Sequence, residues 1–289
     1  MPAIKSGAEV AVTGANGFIG SHICKRLIDD GFRVRAVVRD ASDSSKTAHL
    51  VAMGANMSCV TGSLTEAGGY DRAFAGCAAV VHTAAVVEVL DSSDAQERIV
   101  KPAVAGTKNV VASCRACASV QRLVMTSSVA AVQSPLGKPD SHVYTEADWN
   151  EWSSISTDAY GCAKTSAERE AWASRKATPA PFDASVICPS VTLGPPLTKA
   201  HTKASTVLVR ELLYNNTMNN YVTSFVDVRD VAAAAVAALP TAAAGGERLI
   251  VTGEHKPIDT PAPGPLPLSP PLPPPPGPPR APRPTVDPP

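Results

Sequence analysis

Short apolar runs alternate with amphipathic stretches along most of the chain. The run "AEVAVTGA" ends in glycine, and "GSHICKRLIDDGF" follows, with Ile23, Leu27 and Ile28 on one helical face and Gly31 at its close. "FRVRAVVRD" then reads as a strand and "SKTAHLVAMG" as a helix. "NMSCVTGSL", "AAVVHTAAV", "VQRLVMTSSVA" and "FDASVICPS" are further strand-like runs. Helical patterns separate them, most clearly "DAQERIVKPAVAGTKNVVASCRACA" and "STDAYGCAKTSAEREAWASRK". Brief β-branched runs without internal alternation suit strands covered on both faces, so the pattern predicts an α/β fold with a doubly wound parallel sheet. In such sheets ligands bind outside the carboxyl ends of the strands.

The pattern stops near the C-terminus. From Pro257 to Pro289, 17 of 33 residues are proline, and no aromatic follows Phe225. Proline donates no ladder bond, and so apolar-poor a stretch has little to bury. The reading divides the chain into a catalytic-type domain over 1–253, with substrate-lobe segments at about 190–225, and a disordered proline-rich tail over 254–289.

Charge narrows the partners. The chain carries 26 basic and 26 acidic side chains, so no field draws it to nucleic acid or an anionic membrane. No apolar run reaches membrane-spanning length, and the first strand begins without a secretory leader pattern, which points to a cytoplasmic protein. Seven cysteines, an odd number, read as reduced thiols. Cys114 and Cys117 lie inside a helical pattern with no second pair, so no metal is expected.

"VTGANGFIGSH" places Gly14, Gly17 and Gly20 between the first strand and the first helix. Glycine permits the tight turn there and lets backbone N–H groups approach a pyrophosphate. Gly14, Asn16, Gly17, Phe18, Ile19 and Gly20 are therefore assigned to a dinucleotide, together with Leu64, Ala84 and Pro189 near later strand ends. The second strand ends "AVVRD". Arg39, helped by Lys46, suits the 2′-phosphate of NADP; Asp40, if it faced the ribose, would select NAD instead. NADPH is the favoured cofactor.

"DAYGCAK" sets Tyr160 four residues before Lys164, on one face of a helix. With "VTGANGFIGSH", "VRAVVRD", "VVHTAA", "RLVMTSSVAAV" and "FVDVRDVA" in this order, the chain resembles the extended short-chain dehydrogenases/reductases, nearest the dihydroflavonol reductase and cinnamoyl-CoA reductase branch. The resemblance covers about residues 8 to 253 and implies a Rossmann sheet. It also implies a Ser–Tyr–Lys catalytic unit, in which Tyr160 and Lys164 match and the serine is Ser127 or Ser128, with Ser128 preferred. The implied reaction is NADPH-dependent reduction of a small-molecule aldehyde or ketone. A free tyrosine, with a pKa of about 10, is a poor acid–base near neutrality and needs a neighbouring cation. A sugar-nucleotide epimerase or dehydratase using NAD, or a regulator that binds NADP without catalysis, are the alternatives.

This chain departs from the family pattern in several places. Ser63 stands where an acidic residue is usual, leaving the Leu64 backbone to meet the adenine. Ala103 marks the place of a frequent asparagine, and the string typical of cinnamoyl-CoA reductases is replaced by "STDAYGCAK". Tyr144, Trp149 and Trp152 either flank a flat substrate or pack their loop on the sheet. Asp227 is expected to cap the helix in "VDVRDVAAAAVAAL". Family members continue past the strand in "GERLIVTG", so the resemblance implies an incomplete substrate lobe. The proline tract is then either an altered C-terminus or a ligand for a polyproline-binding domain, through "LPPPP" and "PPGPPR".

Overall fold

The computed structural model describes residues 3–85, 94–134, 136, 138, 139, 141–175, 182–203, 222–253 and 255–257. The chain runs β1 (Glu9–Thr13), α1 (Phe18–Asp29), β2 (Arg33–Val38), α2 (Ser44–Val51), β3 (Met57–Thr61), α3 (Asp71–Phe74), β4 (Ala79–His82), α4 (Lys101–Ala116) and β5 (Arg122–Thr126). It continues through α5 (Ala159–Arg175), β6 (Asp183–Pro189), β7 (Val191–Leu193), β8 (Val222–Asp227), α6 (Val228–Ala237), β9 (Arg248–Val251) and β10 (His255–Pro257). Seven strands form one sheet in the order β3-β2-β1-β4-β5-β6-β9, and every pairing in it is parallel. The expected doubly wound sheet is present.

Winding proceeds outward from β1 to β3, then returns to β4 and grows the other way. A crevice opens at such a reversal, between the carboxyl ends of β1 and β4. Register brings the side chains there into line: Thr13 lies opposite His82, and His82 opposite Met125.

Continuous apolar runs follow from burial on both faces. Val10, Val12 and Val34 join Ile23 and Leu27 of α1 and Val231 of α6 in one core. Ala11, Val80 and Leu123, pointing the opposite way, join Phe74, Val110 and Cys114 in the other. Arg122 is fully buried at the start of β5, and its Nη1 donates to the carbonyls of Ala238, Leu239 and Thr241 just beyond α6. Its Nη2 pairs with Asp183 at 3.0 Å, so an apparent surface arginine is a bolt between helix and sheet.

Two helices show why local sequence sets their ends. A π turn at Gln96–Val100 leads into α4, immediately ahead of Pro102, whose missing N–H leaves a gap in the helical bond ladder. Asp227 accepts from the Arg229 backbone N–H at 2.8 Å and caps α6, as its sequence predicts.

Strand structure continues past residue 253. A second, three-stranded sheet has the order β10-β8-β7, and β10 pairs antiparallel with β8 through His255–Ser224, Lys256–Thr223 and Pro257–Val222. The substrate-lobe stretch 204–221 and the tail from 258 onward, with its polyproline patterns, lie outside the described residues. Among the described residues no helix is long and apolar enough to cross a membrane, and no group of side chains is suited to hold a metal.

Candidate active site

The glycine loop is closed by backbone contact rather than by side chains. Gly14 has φ +66°, and a Cβ there would come within 2.8 Å of the Ala84 N and Cα. A Cβ on Gly20 would stand 2.2 Å from the Gly14 carbonyl oxygen. Both positions therefore exclude any side chain, which lets the loop fold flat onto the start of α1. Gly17 occupies the N-cap with no side-chain cap, and no acidic residue sits in the first turn. The N–H groups of Phe18, Ile19 and Gly20 precede the first full helical bond and face outward as donors for an anion.

Three histidines that the sequence reading passed over brace this loop. Ser21 Oγ donates to the Ala15 carbonyl at 2.9 Å, so its oxygen is left to accept from His49 Nε2 at 3.0 Å. His201 Nδ1 accepts from the Leu197 N–H at 3.3 Å, which assigns the proton to Nε2 and a donated bond to the Asn16 carbonyl at 3.2 Å. His22 Nε2 donates to the Pro195 carbonyl at 2.9 Å. Burial lowers the pKa of His49 and of His201, keeping these rings neutral.

At the end of β2 the two candidate selectors behave differently. Asp40 Oδ1 accepts from the Ser42 N–H and Oγ at 2.9 and 2.6 Å, and those bonds hold its carboxyl below the usual range. Arg39 is exposed and has no hydrogen bond or ion pair among the described residues. Lys46 pairs with Asp43, the N-cap of α2, at 2.6 Å. Lys46 is exposed in that pair, so its ammonium can exchange Asp43 for a phosphate at little cost.

Leu64, Ala84, His82, Thr126, Tyr160 and Lys164 line a common cleft at the switch point. The Leu64 carbonyl accepts from Asn109 Nδ2 at 2.8 Å, and Gly106 leaves room for its side chain, since a Cβ there would lie 2.5 Å from Leu64 Cγ. Thr126 Oγ1 is buried in the cleft with no partner among the described residues. A buried hydroxyl without a partner, an open glycine cradle and an Arg39 without a partner, all among the described residues, together fit a dinucleotide laid across the crevice.

Tyr160 opens α5, and the reason a glycine follows it is visible in the cap. Asp158 Oδ1 accepts from the Gly161 N–H at 3.0 Å, while Oδ2 accepts from Ser153 Oγ at 2.7 Å. A Cβ at Gly161 would meet Asp158 Oδ2 at 2.2 Å and Ser153 Oγ at 2.6 Å. Tyr160 is 44% exposed and lines the cleft, and Lys164 Nζ lies 5.7 Å from its ring centroid.

The two serines separate by their bonds. Ser127 Oγ donates to Glu168 Oε2 at 2.6 Å and is buried there. Ser128 Oγ accepts from the Ala130 N–H at 3.1 Å, capping a short turn, Val129–Ala131, and its proton stays available to a ligand oxygen. Ser128 and Pro189 stand at the ends of β5 and β6, outside the lining of the cleft itself. Two aromatic residues of the preceding loop, Trp149 and Tyr144, are engaged within the protein. Trp149 lies under the Arg248 guanidinium, 3.9 Å away, and Tyr144 OH donates to the Ser134 carbonyl at 2.7 Å.

His82 supplies a pH-dependent term. Its Nδ1 is 2.7 Å from Thr13 Oγ1, and burial, with the Lys164 charge second, pushes its pKa down to about 4. The unfolded chain takes up this proton first as pH falls. The stabilisation is therefore complete above about pH 6.5 and is lost toward pH 4, about 3 kcal/mol in all. Urea midpoints of wild type and His82→Gln, measured from pH 7.5 to 4, should converge as pH falls; parallel curves would rule the term out.

The chain is similar to several known proteins. A family model described as the NAD-dependent epimerase/dehydratase family matches residues 10–252. A cinnamoyl-CoA reductase of Medicago truncatula is 34% identical over 255 residues, 85% of this chain and 76% of the relative. A dihydroflavonol 4-reductase of Gerbera hybrida is 35% identical over 67% of this chain, which spans 54% of that enzyme's length. Among solved structures, Gre2 of Candida albicans in complex with NADPH superposes with a TM-score of 0.79 at 26% identity, covering 87% of this chain and 80% of its own.

Proposed function

The chain belongs to the NAD-dependent epimerase/dehydratase family, and from that premise we propose that it is an NADPH-dependent carbonyl reductase acting on a small aldehyde or ketone. The observation that carries the proposal is Tyr160 and Lys164, one turn apart on α5, opening together into the cleft at the switch point. When bound, NADPH supplies the hydride. The amides of Phe18, Ile19 and Gly20 would hold its pyrophosphate and Arg39 its 2′-phosphate. Ser128, in the turn just past β5, whose last residue Thr126 lines the cleft, would donate a hydrogen bond to the substrate oxygen and orient it. Tyr160 delivers the proton to that oxygen, and the Lys164 charge beside the ring stabilises the tyrosinate left behind. The relatives support the reading: a cinnamoyl-CoA reductase, a dihydroflavonol 4-reductase and an NADPH complex of Gre2 are all similar to this chain. The epimerase alternative depends on NAD selection by Asp40, whose carboxylate is engaged by Ser42.

Domain limits follow from the same reading, with a reductase domain through β10 and the proline-rich segment beyond it. All seven cysteines are free, which suits a reducing compartment and a cytosolic enzyme.

Oxidation of NADPH and of NADH, followed at 340 nm against aldehydes, ketones and flavanonols, tests the function directly; no turnover of any carbonyl would sink it. Cofactor choice has its own test. Arg39→Ala should weaken NADPH binding by about tenfold or more and leave NADH nearly unchanged, the signature of one lost charge-assisted bond. Equal losses for both in a fluorescence titration would remove Arg39 from the site.

A further inference from the structure

Arg248 lies on the last strand of the main sheet, far from the cleft in sequence, yet every donor of its guanidinium is used. Nε donates to Glu168 Oε1 at 2.5 Å, and Nη2 donates to Glu168 Oε2 at 3.4 Å and to the Ala131 carbonyl at 3.2 Å. Nη1 donates to the carbonyls of Glu146, at 2.9 Å, and of Asp148. The face of the group rests on Trp149. Glu168 is completely buried and also accepts from Ser127 Oγ and, at 3.2 Å, from Trp172 Nε1.

These bonds meet at the two ends of the proposed catalytic unit. Ala131 closes the turn that Ser128 caps, its N–H bonded to the Ser128 carbonyl at 2.9 Å. Its own carbonyl also accepts from the Asn150 N–H at 3.0 Å. Asn150 Nδ2 donates to the Ala130 carbonyl at 2.8 Å and contacts Ser153 Oγ at 2.7 Å; Ser153 donates to Asp158, the cap beside Tyr160. Glu168 stands one turn beyond Lys164 on the same helix face. One guanidinium thus ties the serine turn, the loop leading to the tyrosine and the helix that carries tyrosine and lysine. Only a planar fork of five donors reaches all of them; a lysine ammonium, with three donors at a point, does not.

We propose that Arg248, acting with Glu168, is a positioning residue that sets Ser128 against Tyr160 and Lys164; the proposal rests on the reductase reading above. Neither side chain touches the reacting atoms. Displacing a catalytic group by about 1 Å costs on the order of a hundredfold in rate, so loss of this tie should appear in turnover and not in cofactor affinity.

The test uses the full chain with Arg248→Lys and, as a second variant that keeps the carboxylate's shape, Glu168→Gln. Turnover is expressed per NADPH-binding site counted by fluorescence titration, and backbone hydrogen exchange is followed in parallel. The expected result is a fall in kcat of about tenfold to a hundredfold, with NADPH affinity within about twofold. Exchange should speed up across residues 128–132 and 148–151 and stay unchanged across the glycine loop. Activity lost only in proportion to lost binding sites would mean a merely structural residue and overturn the proposal, as would wild-type turnover with unchanged exchange. A wild type that binds NADPH but reduces no carbonyl would defeat the reductase reading separately, and the exchange measurement then decides the positioning claim alone.

Discussion

Tyr160→Phe should lower turnover by about 10²–10⁴-fold while leaving NADPH affinity within about twofold. The substitution removes one oxygen and nothing else. The ring is 44% exposed, so no packed core collapses around it, and its contact with Lys164 runs through the ring face, which phenylalanine keeps. The amides that would hold the pyrophosphate lie on α1, an element the change does not touch. What disappears is the proton donor for the substrate oxygen, needed only as the carbonyl is reduced. Lys164→Ala should behave differently: it removes the charge that assists Tyr160 and a donor that lines the cleft, so both kcat and NADPH affinity should suffer. Stopped-flow single turnovers separate the two steps. A Tyr160→Phe enzyme that reduces a good wild-type substrate at an ordinary rate would end the proposed mechanism.

Glu168→Ala should destabilise the fold by about 3–5 kcal/mol, the usual result of deleting one member of a buried ion pair. Both partners are almost fully withdrawn from water, with side-chain exposures of 7% for Arg248 and 0% for Glu168. Alanine would leave the guanidinium with carbonyl partners alone, strand the Ser127 hydroxyl and open a void between α5, β5 and β6. The contrast with a surface pair makes the prediction specific. Breaking Lys25–Asp29, where both side chains are about half exposed, should change stability by less than about 1 kcal/mol. Denaturant unfolding of the two variants side by side checks both, and equal effects would show that burial of the Glu168–Arg248 pair carries no energetic weight.

Much of this protein is written locally. Apolar runs too short and too unbroken for a half-exposed sheet could only be strands covered on both sides. Their alternation with amphipathic helices permits little besides a doubly wound sheet. The glycine spacing and the Tyr160–Lys164 pair belong to single turns, where backbone geometry alone brings residues together. Asp227 as a cap is of the same kind.

The rest depended on chain segments meeting. Adjacent serines are equivalent in sequence, and only the arrival of Glu168 beside β5 distinguishes Ser127, which is bonded away, from Ser128, which is not. Arg248 and Glu168, 80 residues apart, meet only because β9 is laid against β6. Trp149 offered a substrate platform or packing with equal force, and the Arg248 guanidinium over its ring decided for packing. His201 reaches Asn16 across 185 positions, and Asn109 takes the Leu64 carbonyl across 45. The strand His255–Pro257 is invisible in a proline-bearing segment because its partner, β8, lies elsewhere in the chain. Periodicity reports which face of an element is buried, since that depends on one residue's neighbours three or four places away. It carries no information on which distant polar group waits at that face, because sheet order and register, set by the packing of the whole domain, choose the partner.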